Sequence, residues 1–358
     1  MVLKIGIMLG DDIGLEVVPE AVKVMKAAAA HAGVEVQWTP LPIGRKAHET
    51  HGHTVPASTV EALRGMDGWL LGPMGHNAYP RNDPTWTSSG LRKRFELFAS
   101  VKPVKSYPNI NSLHKDVDIV LLREVTEGLQ SSGVVLAGSG EFRPNDDISI
   151  GMRVVTRHGA NRVAREAFEI ARTRTRKKVT AVHKAGTYKL CCGMFAEECR
   201  KVAAEFPDVR LEEVLIDGMA LKLAMSPQQF DVVVTTNLFG DILTDEAAAV
   251  VGGLGLAPGL CVGERQAMAQ ATHGSAPDIA GQGIANPYVM IMSGKMLLEW
   301  LGRQRAERKA VAAARAIECA MDRVIAEATQ LTRDLGGAAS TSQMGDAVVQ
   351  ALRPAASS

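Results

Sequence analysis

Short apolar runs alternate with longer amphipathic stretches along most of the chain. Lys4–Leu9, Trp69–Gly72 and Asp231–Thr235 have the length and the continuous apolar character of buried strands. Glu16–His31 repeats its apolar residues with helical spacing, and it is followed by Gly33, a residue type that commonly ends helices. This alternation of strands and helices predicts an α/β fold.

The pattern changes near the middle of the chain. Val134–Val155 contains β-branched runs that are separated by Gly and Ser and by a Pro-Asn-Asp-Asp turn, which predicts hairpins or a small added sheet. The alternation resumes at Asn161, and Asn286–Ala328 is expected to be mostly helical. An antiparallel insertion therefore interrupts the α/β pattern.

Composition narrows the class of protein. The 358 residues suffice for about two domains, and 46% hydrophobic content argues against disorder. A net charge of +1 provides no overall field for nucleic acid or an acidic membrane. The longest uncharged run, Ala247–Gly263, contains five glycines and Pro258, so it is not a membrane helix. No nucleic-acid or membrane partner is expected.

Targeting signals and cysteines point to one compartment. Val2–Leu9 is too short for a signal peptide and is followed by two aspartates. The five cysteines include an adjacent pair and no CxxC spacing, which excludes a disulfide framework and an ordinary zinc site. We expect reduced thiols and a cytoplasmic protein.

An acidic segment after the apolar run Asp231–Thr235 is a candidate metal site. Asp241 and Asp245 are four residues apart, so on a helix they share one face and repel each other. A hard divalent cation such as Mg²⁺ or Mn²⁺ would stabilise this arrangement through oxygen ligands. Acidic residues also favour helix N-termini without any metal. The segment alone leaves both interpretations open.

Several cationic residues are candidates for binding or proton transfer. Lys184 follows a buried strand, where it could act as a base or lie on the surface as an ordinary loop lysine. Arg92, Lys102 and Arg123 could bind the carboxylates of a substrate, or they could be ordinary surface charge. By composition, His273–Gly281 is only a turn-rich loop that exposes backbone amides and a carboxylate.

The order and spacing of these segments is more specific than any one of them. Across essentially the whole chain, the combination resembles the isocitrate/isopropylmalate dehydrogenase family of β-decarboxylating 2-hydroxy-acid dehydrogenases. The segments that carry the resemblance are Gly10-Asp11-Asp12-Ile13-Gly14, Leu91-Arg92-Lys93, Arg123–Gly128, His183-Lys184, Asp217-Gly-Met219, the segment with Asp241 and Asp245, His273–Gly281 with Asn286, and Thr332–Gly337.

The resemblance implies a fold and an assembly. It implies an isopropylmalate dehydrogenase-like α/β fold with a mixed sheet flanked by helices. Residues 1–100 and 252–358 would form a large domain that carries the cofactor-binding loops. Residues 101–251 would form a smaller central α/β domain with a dimerising β-arm, for which the antiparallel stretch is suited. Such proteins are homodimers that share each active site between subunits.

The resemblance also implies roles for individual residues. Asp241 and Asp245 of one subunit and Asp217 of the other would hold Mg²⁺ or Mn²⁺, and Lys184 would accept or relay a proton. Catalysis would thus rest on Lys184 and Asp217. A small-molecule 2-hydroxy acid would be bound by Arg92, Lys102, Arg123, Ser88 and Gln130.

The cofactor implied by the resemblance is a nicotinamide dinucleotide. Its adenosine part would contact His273, Gly274, Ser275, Ala276, Asp278, Ile279 and Asn286. Asp278 would accept hydrogen bonds from the ribose hydroxyls and repel a 2′-phosphate. NAD is therefore expected in preference to NADP.

The sequence departs from the family pattern mainly at the substrate. Gln130 occupies the position of a proton-donating tyrosine, and Lys102 that of a second carboxylate-binding arginine. Gly186-Thr187 replaces an asparagine, and Asp12 replaces a glycine. The polar segment Thr85–Gly90, which includes Ser88, favours a substrate with a polar γ-substituent, such as isocitrate or a hydroxylated malate.

Three functions remain open from the sequence. The first is NAD- and metal-dependent oxidation, with β-decarboxylation, of a malate-type di- or tricarboxylic acid. The second is a tartrate- or D-malate-type dehydrogenase with weak or no decarboxylation, because Gln130 lacks useful acidity. The third is a non-catalytic regulatory subunit. Retention of Lys184, Asp217, Asp241 and Asp245 argues against the third.

Overall fold

The chain divides into two compact units. The structure is a computed structural model that describes residues 2–75, 88–129 and 140–352. Unit 1 contains the residues up to Leu91, the segment Tyr107–Asn111 and the residues from Leu254 onward. Unit 2 contains Arg92–Ser106 and Ser112–Gly253. The domain bounds that the resemblance implies stay a prediction.

Strands form the centre of each unit. In chain order they are β1 (Leu3–Met8), β2 (Val36–Pro40), β3 (Gly68–Leu71), β4 (Ala99–Lys105), β5 (Asp118–Glu124), β6 (Glu141–Asn145), β7 (Ile148–Gly151), β8 (Lys178–His183), β9 (Arg210–Leu215), β10 (Val232–Thr235), β11 (Leu260–Val262) and β12 (Ala267–Gln270).

Both units combine parallel and antiparallel pairing. In unit 1 the order is β2-β1-β3-β12-β11, and only the β11–β12 pair is antiparallel among these strands. In unit 2 the order is β4-β5-β10-β8-β9, where β4 runs antiparallel to β5 and the other neighbours are parallel. The strands β6 and β7 form a separate antiparallel hairpin.

Helices flank these strands. They are α1 (Gly14–Ala32), α2 (Gly44–His51), α3 (Ala57–Arg64), α4 (Ser88–Arg94), α5 (Arg157–Arg172), α6 (Cys191–Glu205), α7 (Ile216–Met225), α8 (Asn237–Val251), α9 (Tyr288–Gln304), α10 (Arg308–Glu327) and α11 (Thr341–Ala351). In unit 1, α1 packs on α9, α10 and α11; in unit 2, α5 packs on α6 and α7 on α8. The expected mixed α/β fold is confirmed.

Local signals explain where helices begin and end. Gly33 has a left-handed φ of 68° and donates its N–H to two carbonyls of α1, which satisfies the end of that helix. The Thr156 hydroxyl accepts a hydrogen bond from Gly159 N at the start of α5. At α11, Ser340 and Gln343 form a reciprocal capping box.

Most predicted elements are confirmed, and the clearest error lies before β4. The sequence predicts a helix over Leu91–Phe98, but α4 ends at Arg94 and β4 begins at Ala99. Leu97 and Phe98 are buried, so their apolar character reflects burial next to a strand and not a helical face. The predicted hairpin is confirmed at β6–β7, while residues 130–139 lie outside the described part.

Among residues 2–75, 88–129 and 140–352, none of the helices is long and apolar enough to span a bilayer.

Candidate active site

The ends of β4, β5 and β10 bring cationic and acidic side chains together in unit 2. Arg123 lies near the end of β5, opposite Ser100 of β4. The α8 helix begins two residues after β10, which is the parallel neighbour of β5. Because ligands bind beyond the carboxyl ends of parallel strands, this edge is the natural place for a site.

Arg123 is held by side chains of the first two turns of α8. Asn237 Oδ1 accepts hydrogen bonds from Arg123 Nε at 2.9 Å and from Nη2 at 2.7 Å, and Nη1 contacts Asp241 Oδ1. Asn237 Nδ2 in turn donates to the carbonyl of Glu127 at 2.6 Å. A Cβ on Gly240 would lie 2.6 Å from Arg123 Cβ, so glycine is required for this approach. The guanidinium is thus held in one orientation.

Lys102 is a buried cation in the same cluster. Its Nζ donates to Thr244 Oγ1 at 3.0 Å and lies 4.0 Å from Asp245 Oδ1. Burial lowers the pKa of Lys102, and the charges of Arg123 and Arg92 lower it further, against the opposing effect of the two α8 carboxylates. Arg92, Lys102 and Arg123, which the sequence left open as surface charge, therefore lie close enough to interact electrostatically.

The α8 carboxylates suit a divalent cation. Asp241 and Asp245 lie one helical turn apart, and their side chains are 41% and 62% exposed. They face cations of this chain, and carboxylate oxygens are the ligands that Mg²⁺ and Mn²⁺ prefer. Two carboxylates leave further positions of such an ion for substrate oxygens and a third carboxylate. These residues therefore fit the implied metal.

Lys184 and Asp217 form a second charged pair in unit 2. Lys184 follows β8, Asp217 lies in the first turn of α7, and Lys184 Nζ donates to Asp217 Oδ1 at 2.5 Å. That hydrogen bond holds the pKa of Asp217 below its ordinary value. Among the described residues, no three His, Cys, Asp or Glu side chains of one chain form a metal-binding group. Asp217 is therefore not brought to Asp241 and Asp245 within a single chain.

A buried acidic pair lies behind the Arg123 cluster. Glu127 accepts hydrogen bonds from Thr156 N at 2.9 Å and Thr156 Oγ1 at 2.8 Å, and its neighbour Glu124 is buried beside it. Burial raises the pKa of Glu127 to about 7, against the effect of the Thr156 hydrogen bonds. Glu127 thus carries both the titrating carboxyl group and the backbone carbonyl that accepts the hydrogen bond from Asn237.

The raised pKa of Glu127 predicts how the free energy of unfolding depends on pH. The folded protein holds a proton on Glu127 that the unfolded chain releases, so the free energy of unfolding falls as the pH rises from about 4.5 to about 7. In Glu127→Gln we expect that fall to be smaller, by on the order of 2 kcal/mol. Urea unfolding at several pH values measures it.

The exposed Glu205, which pairs with Arg165 at 2.8 Å, supplies the control for that experiment. Glu205→Gln should keep the pH dependence of the unmodified protein. An unchanged pH slope in Glu127→Gln would contradict the raised pKa.

The candidate cofactor loop belongs to unit 1. His273 Nδ1 lies 2.9 Å from the Gly274 carbonyl, and its Nε2 is buried with no hydrogen-bond partner among the described residues. Burial lowers the pKa of His273 and so favours the neutral ring. A buried ring nitrogen without a partner fits a ligand that brings a hydrogen-bonding group, as an adenosine does. Ser275 and Ala276 follow in a turn closed by Ile279 N on the Ala276 carbonyl at 3.2 Å.

Asp278 and Asn286 differ in how they are held. Asp278 is exposed, and it is its backbone carbonyl that accepts from Gln282 Nε2 at 2.9 Å. Asn286 Nδ2 donates to Asp334 Oδ2 at 2.9 Å and to the Gly255 carbonyl at 3.3 Å. The exposed carboxylate of Asp278 is the group in this loop that fits ribose hydroxyls.

The side chains of two predicted substrate-binding residues are not among those that the structure describes. Ser88 begins α4, where only the backbone is described, and Gln130 lies outside the described residues.

The sequence interpretation missed several residues of this site. Asn237, Gly240 and Thr244 all contact predicted site residues, and all three lie in the segment that drew attention for its aspartates. An amide at the start of a helix was the available signal for Asn237. The contacts of Gly240 and Thr244 depend on tertiary packing and carry no local signal.

An α/β fold with clustered cations beside paired carboxylates defines a class of enzymes that act on carboxylic acids with a divalent cation. Comparison with known proteins gives the family. The isocitrate/isopropylmalate dehydrogenase family model matches residues 4–348.

Individual relatives match over nearly their whole length. An isocitrate/homoisocitrate dehydrogenase of Thermus thermophilus is 38% identical over 99% of both chains. A 3-isopropylmalate dehydrogenase of Archaeoglobus fulgidus is 38% identical over 98% of this chain and 99% of its own. The crystal structure of an isocitrate dehydrogenase from Methylococcus capsulatus superposes with a TM-score of 0.85 at 39% identity, covering 98% of this chain and 99% of its own.

The chain belongs to the isocitrate/isopropylmalate dehydrogenase family, as its motifs indicated. Members of this family are oxidoreductases that act on the CH–OH group of a hydroxy acid. They use NAD or NADP together with Mg²⁺ or Mn²⁺. Oxidative decarboxylation of a hydroxy acid is therefore the activity class of this chain.

Proposed function

We propose that this protein is an NAD-dependent dehydrogenase that oxidises and decarboxylates a malate-type tricarboxylic acid of the isocitrate or homoisocitrate kind. The observation that carries the proposal is the pairing of Lys102 and Arg123 with the carboxylates of α8, with Arg92 close enough to Lys102 to lower its pKa. Similarity to relatives such as the isocitrate/homoisocitrate dehydrogenase of Thermus thermophilus supports this substrate class.

Charge balance favours three carboxylates on the substrate. The three cations and the two carboxylates, Asp241 and Asp245, leave one net positive charge, and a divalent cation would raise it to three. A tricarboxylate would neutralise that charge, whereas a dicarboxylate would leave a cation uncompensated in a partly buried cluster. The Arg123 guanidinium, already oriented by Asn237, is suited to bind one carboxylate in a bidentate manner.

Proton transfer is assigned to Lys184. When bound, Mg²⁺ or Mn²⁺ on Asp241 and Asp245 supplies Lewis-acid polarisation of the substrate hydroxyl and carboxylate, and NAD supplies the hydride acceptor. Lys184 Nζ takes or relays the hydroxyl proton, and the Asp217 carboxylate to which it is hydrogen-bonded orients it. Arg92, Lys102 and Arg123 hold the carboxylates in place during this step.

The final protonation step separates this protein from its family pattern. Gln130 has no useful acidity, so another group must protonate the enol carbon. Tyr188, four residues after Lys184, is 54% exposed and lies with its ring 5.6 Å from the Arg153 guanidinium. Tyr188 is our candidate donor. If no group serves, the protein is instead a tartrate- or D-malate-type dehydrogenase with weak or no decarboxylation.

We propose a homodimer with active sites shared between subunits. The separation of the Lys184–Asp217 pair from Asp241 and Asp245 supports this, because a second copy can supply the third carboxylate. Exposed apolar side chains support it too, and a second copy would cover them: Leu221 and Met225 of α7, Ile242 of α8, and Phe142, Ile148 and Ile150 of the hairpin.

Two further features support the proposed cofactor and compartment. The exposed carboxylate of Asp278 supports NAD over NADP, because it would repel a 2′-phosphate. All five cysteines are free thiols, which supports a cytoplasmic location.

A substrate panel tests the proposed function. Purified protein with Mn²⁺ and either NAD or NADP is given 2-hydroxy diacids and triacids, and NADH (or NADPH) and CO₂ are recorded separately. We expect both products with a triacid and a higher kcat/KM with NAD than with NADP. NADH without CO₂ would establish the tartrate- or malate-type alternative, and neither product would favour a regulatory subunit. A preference for NADP would contradict the role of Asp278.

A further inference from the structure

His183, which ends β8 directly before Lys184, is buried and fully engaged. It is 6% exposed. Its Nδ1 accepts a hydrogen bond from Ala185 N at 3.2 Å, and its Nε2 lies 2.9 Å from Glu213 Oε2. Because Nδ1 accepts, the N–H of the ring is on Nε2 and is donated to Glu213.

Glu213 on β9 is held in turn by α6. Arg200 binds it in a bidentate manner, with Nε 2.7 Å from Oε1 and Nη2 2.8 Å from Oε2. These hydrogen bonds hold the pKa of Glu213 below its ordinary value, so it remains a charged acceptor for the imidazole. The ring of His183 therefore has a fixed orientation and a fixed tautomer.

The peptide group between Lys184 and Ala185 is held at both of its polar atoms. The Lys184 carbonyl accepts hydrogen bonds from Thr187 N at 3.0 Å and Tyr188 N at 2.8 Å. The N–H of the same peptide group donates to His183 Nδ1. Since this peptide plane helps to set the direction in which the Lys184 side chain leaves the backbone, both contacts fix the base of the side chain whose Nζ bonds to Asp217.

We propose that His183 is a positioning residue for Lys184: by accepting the Ala185 N–H, it fixes the turn that presents Lys184 Nζ to its proton-transfer position. Glu213 and Arg200 serve to keep the Nδ1 atom of the ring turned toward Ala185. The inference rests on the proposed function only in assigning the proton transfer to Lys184; the holding of the turn does not depend on it.

Two amide substitutions separate the two hydrogen bonds of His183. In His183→Asn the side-chain oxygen can occupy the place of Nδ1 and accept from Ala185 N, but it cannot reach Glu213. In His183→Gln the longer amide can donate to Glu213, but it places no acceptor at Nδ1. His183→Ala removes both. The proposal expects His183→Asn to resemble the unmodified protein and the other two to differ from it.

The first readout does not depend on enzymatic activity. Brief acylation followed by mass spectrometry measures how fast Lys184 reacts, with the exposed Lys189 as the internal reference. We expect Lys184 to react at least about 3-fold faster in His183→Ala and His183→Gln, because its pairing with Asp217 is lost, and at the original rate in His183→Asn. Hydrogen exchange of residues 184–188 should follow the same order.

The second readout is kinetic. Misplacing a proton-transfer group by a fraction of an ångström should lower kcat about 10-fold or more in His183→Ala and His183→Gln, with KM for the hydroxy acid nearly unchanged. A matched pair of variants controls for the loss of a surface ion pair. Glu213→Ala should accelerate the labelling of Lys184, whereas Glu205→Ala, which removes the carboxylate that accepts from Arg165 Nη2, should not.

Each outcome decides the matter. Three results would each overturn the proposal. The first is an equal rate of Lys184 labelling in all variants, and the second is an equal loss of kcat in all three His183 variants. The third is an unchanged kcat in His183→Gln together with a lowered kcat in His183→Asn. Lys184 labelling that follows the expected order, with kcat unchanged throughout, would also overturn it. If the unmodified protein turns over no hydroxy acid, the proposed function fails, while the labelling order alone decides whether His183 holds the turn.

Discussion

Lys184→Ala is expected to lower kcat for hydroxy-acid oxidation by about 10³-fold, with little change in cofactor binding. The ammonium group is hydrogen-bonded to Asp217 at 2.5 Å, and its side chain is only 28% exposed, so water cannot readily take its place. Methyl groups in its place neither accept nor relay a proton. Steady-state kinetics with the substrate found in the panel, together with calorimetric titration of NAD, separates the loss of chemistry from a loss of binding.

A lysine at the other end of the same strand is the matched control. Lys178 begins β8, is 19% exposed and pairs with Glu212 at 2.6 Å. Lys178→Ala removes a comparable ion pair without touching the candidate site, so its kcat should stay within about 2-fold of the original. Activity that survives in Lys184→Ala would show that the proton leaves by another route.

Asp241→Asn should weaken Mn²⁺ binding by at least about 10²-fold and lower kcat/KM for the hydroxy acid to a similar degree. The neutral amide is a poorer ligand for a hard cation, and Arg123 loses the carboxylate that its Nη1 contacts. Calorimetry or electron paramagnetic resonance of Mn²⁺ measures the binding directly. Added Mn²⁺ should restore part of the activity if metal affinity is the main loss.

Asp208 provides the comparison, because its side chain is 40% exposed, nearly the same as that of Asp241, and it also pairs with cations. Asp208→Asn should leave Mn²⁺ affinity unchanged. Equal Mn²⁺ affinity in Asp241→Asn and the unmodified protein would remove Asp241 from the metal site and, with it, the proposed role of this face of α8.

The sequence predicted the long, strongly periodic elements well. It did not predict β4, a strand in which a charged residue of the candidate site is buried. β4 has the sequence Ala-Ser-Val-Lys-Pro-Val-Lys, whose Lys102 and Pro103 break the apolar pattern of a buried strand. Lys102 is nevertheless buried, at 9% exposed, because its Nζ donates a hydrogen bond to Thr244 and lies beside the carboxylate of Asp245. Local propensity cannot anticipate a partner more than a hundred residues away.

The same reasoning applies to the candidate site. Asp241 and Asp245 could be paired from helical spacing alone, whereas the grouping of Arg123 with Asn237 requires knowing that β5 lies beside β10. The adjacency of His183 and Lys184 was visible in the sequence, but not that the imidazole bonds the backbone of the residue after Lys184. Residue types were predictable, and their mutual orientation was not.

The division of the chain into two units has a consequence for folding during synthesis on the ribosome. Unit 2 has all of its residues once Gly253 has been made, so its strands can pair while synthesis continues. Unit 1 must wait, since Trp69 of β3 takes its place beside Met268 of β12, and α1 packs on α9, α10 and α11. Until those C-terminal elements have been made, the apolar residues of β1 and β3 that are buried in the folded protein lack part of their packing partners. We therefore expect the part of unit 1 up to Leu91 to stay incompletely folded until the C-terminal strands and helices have been made.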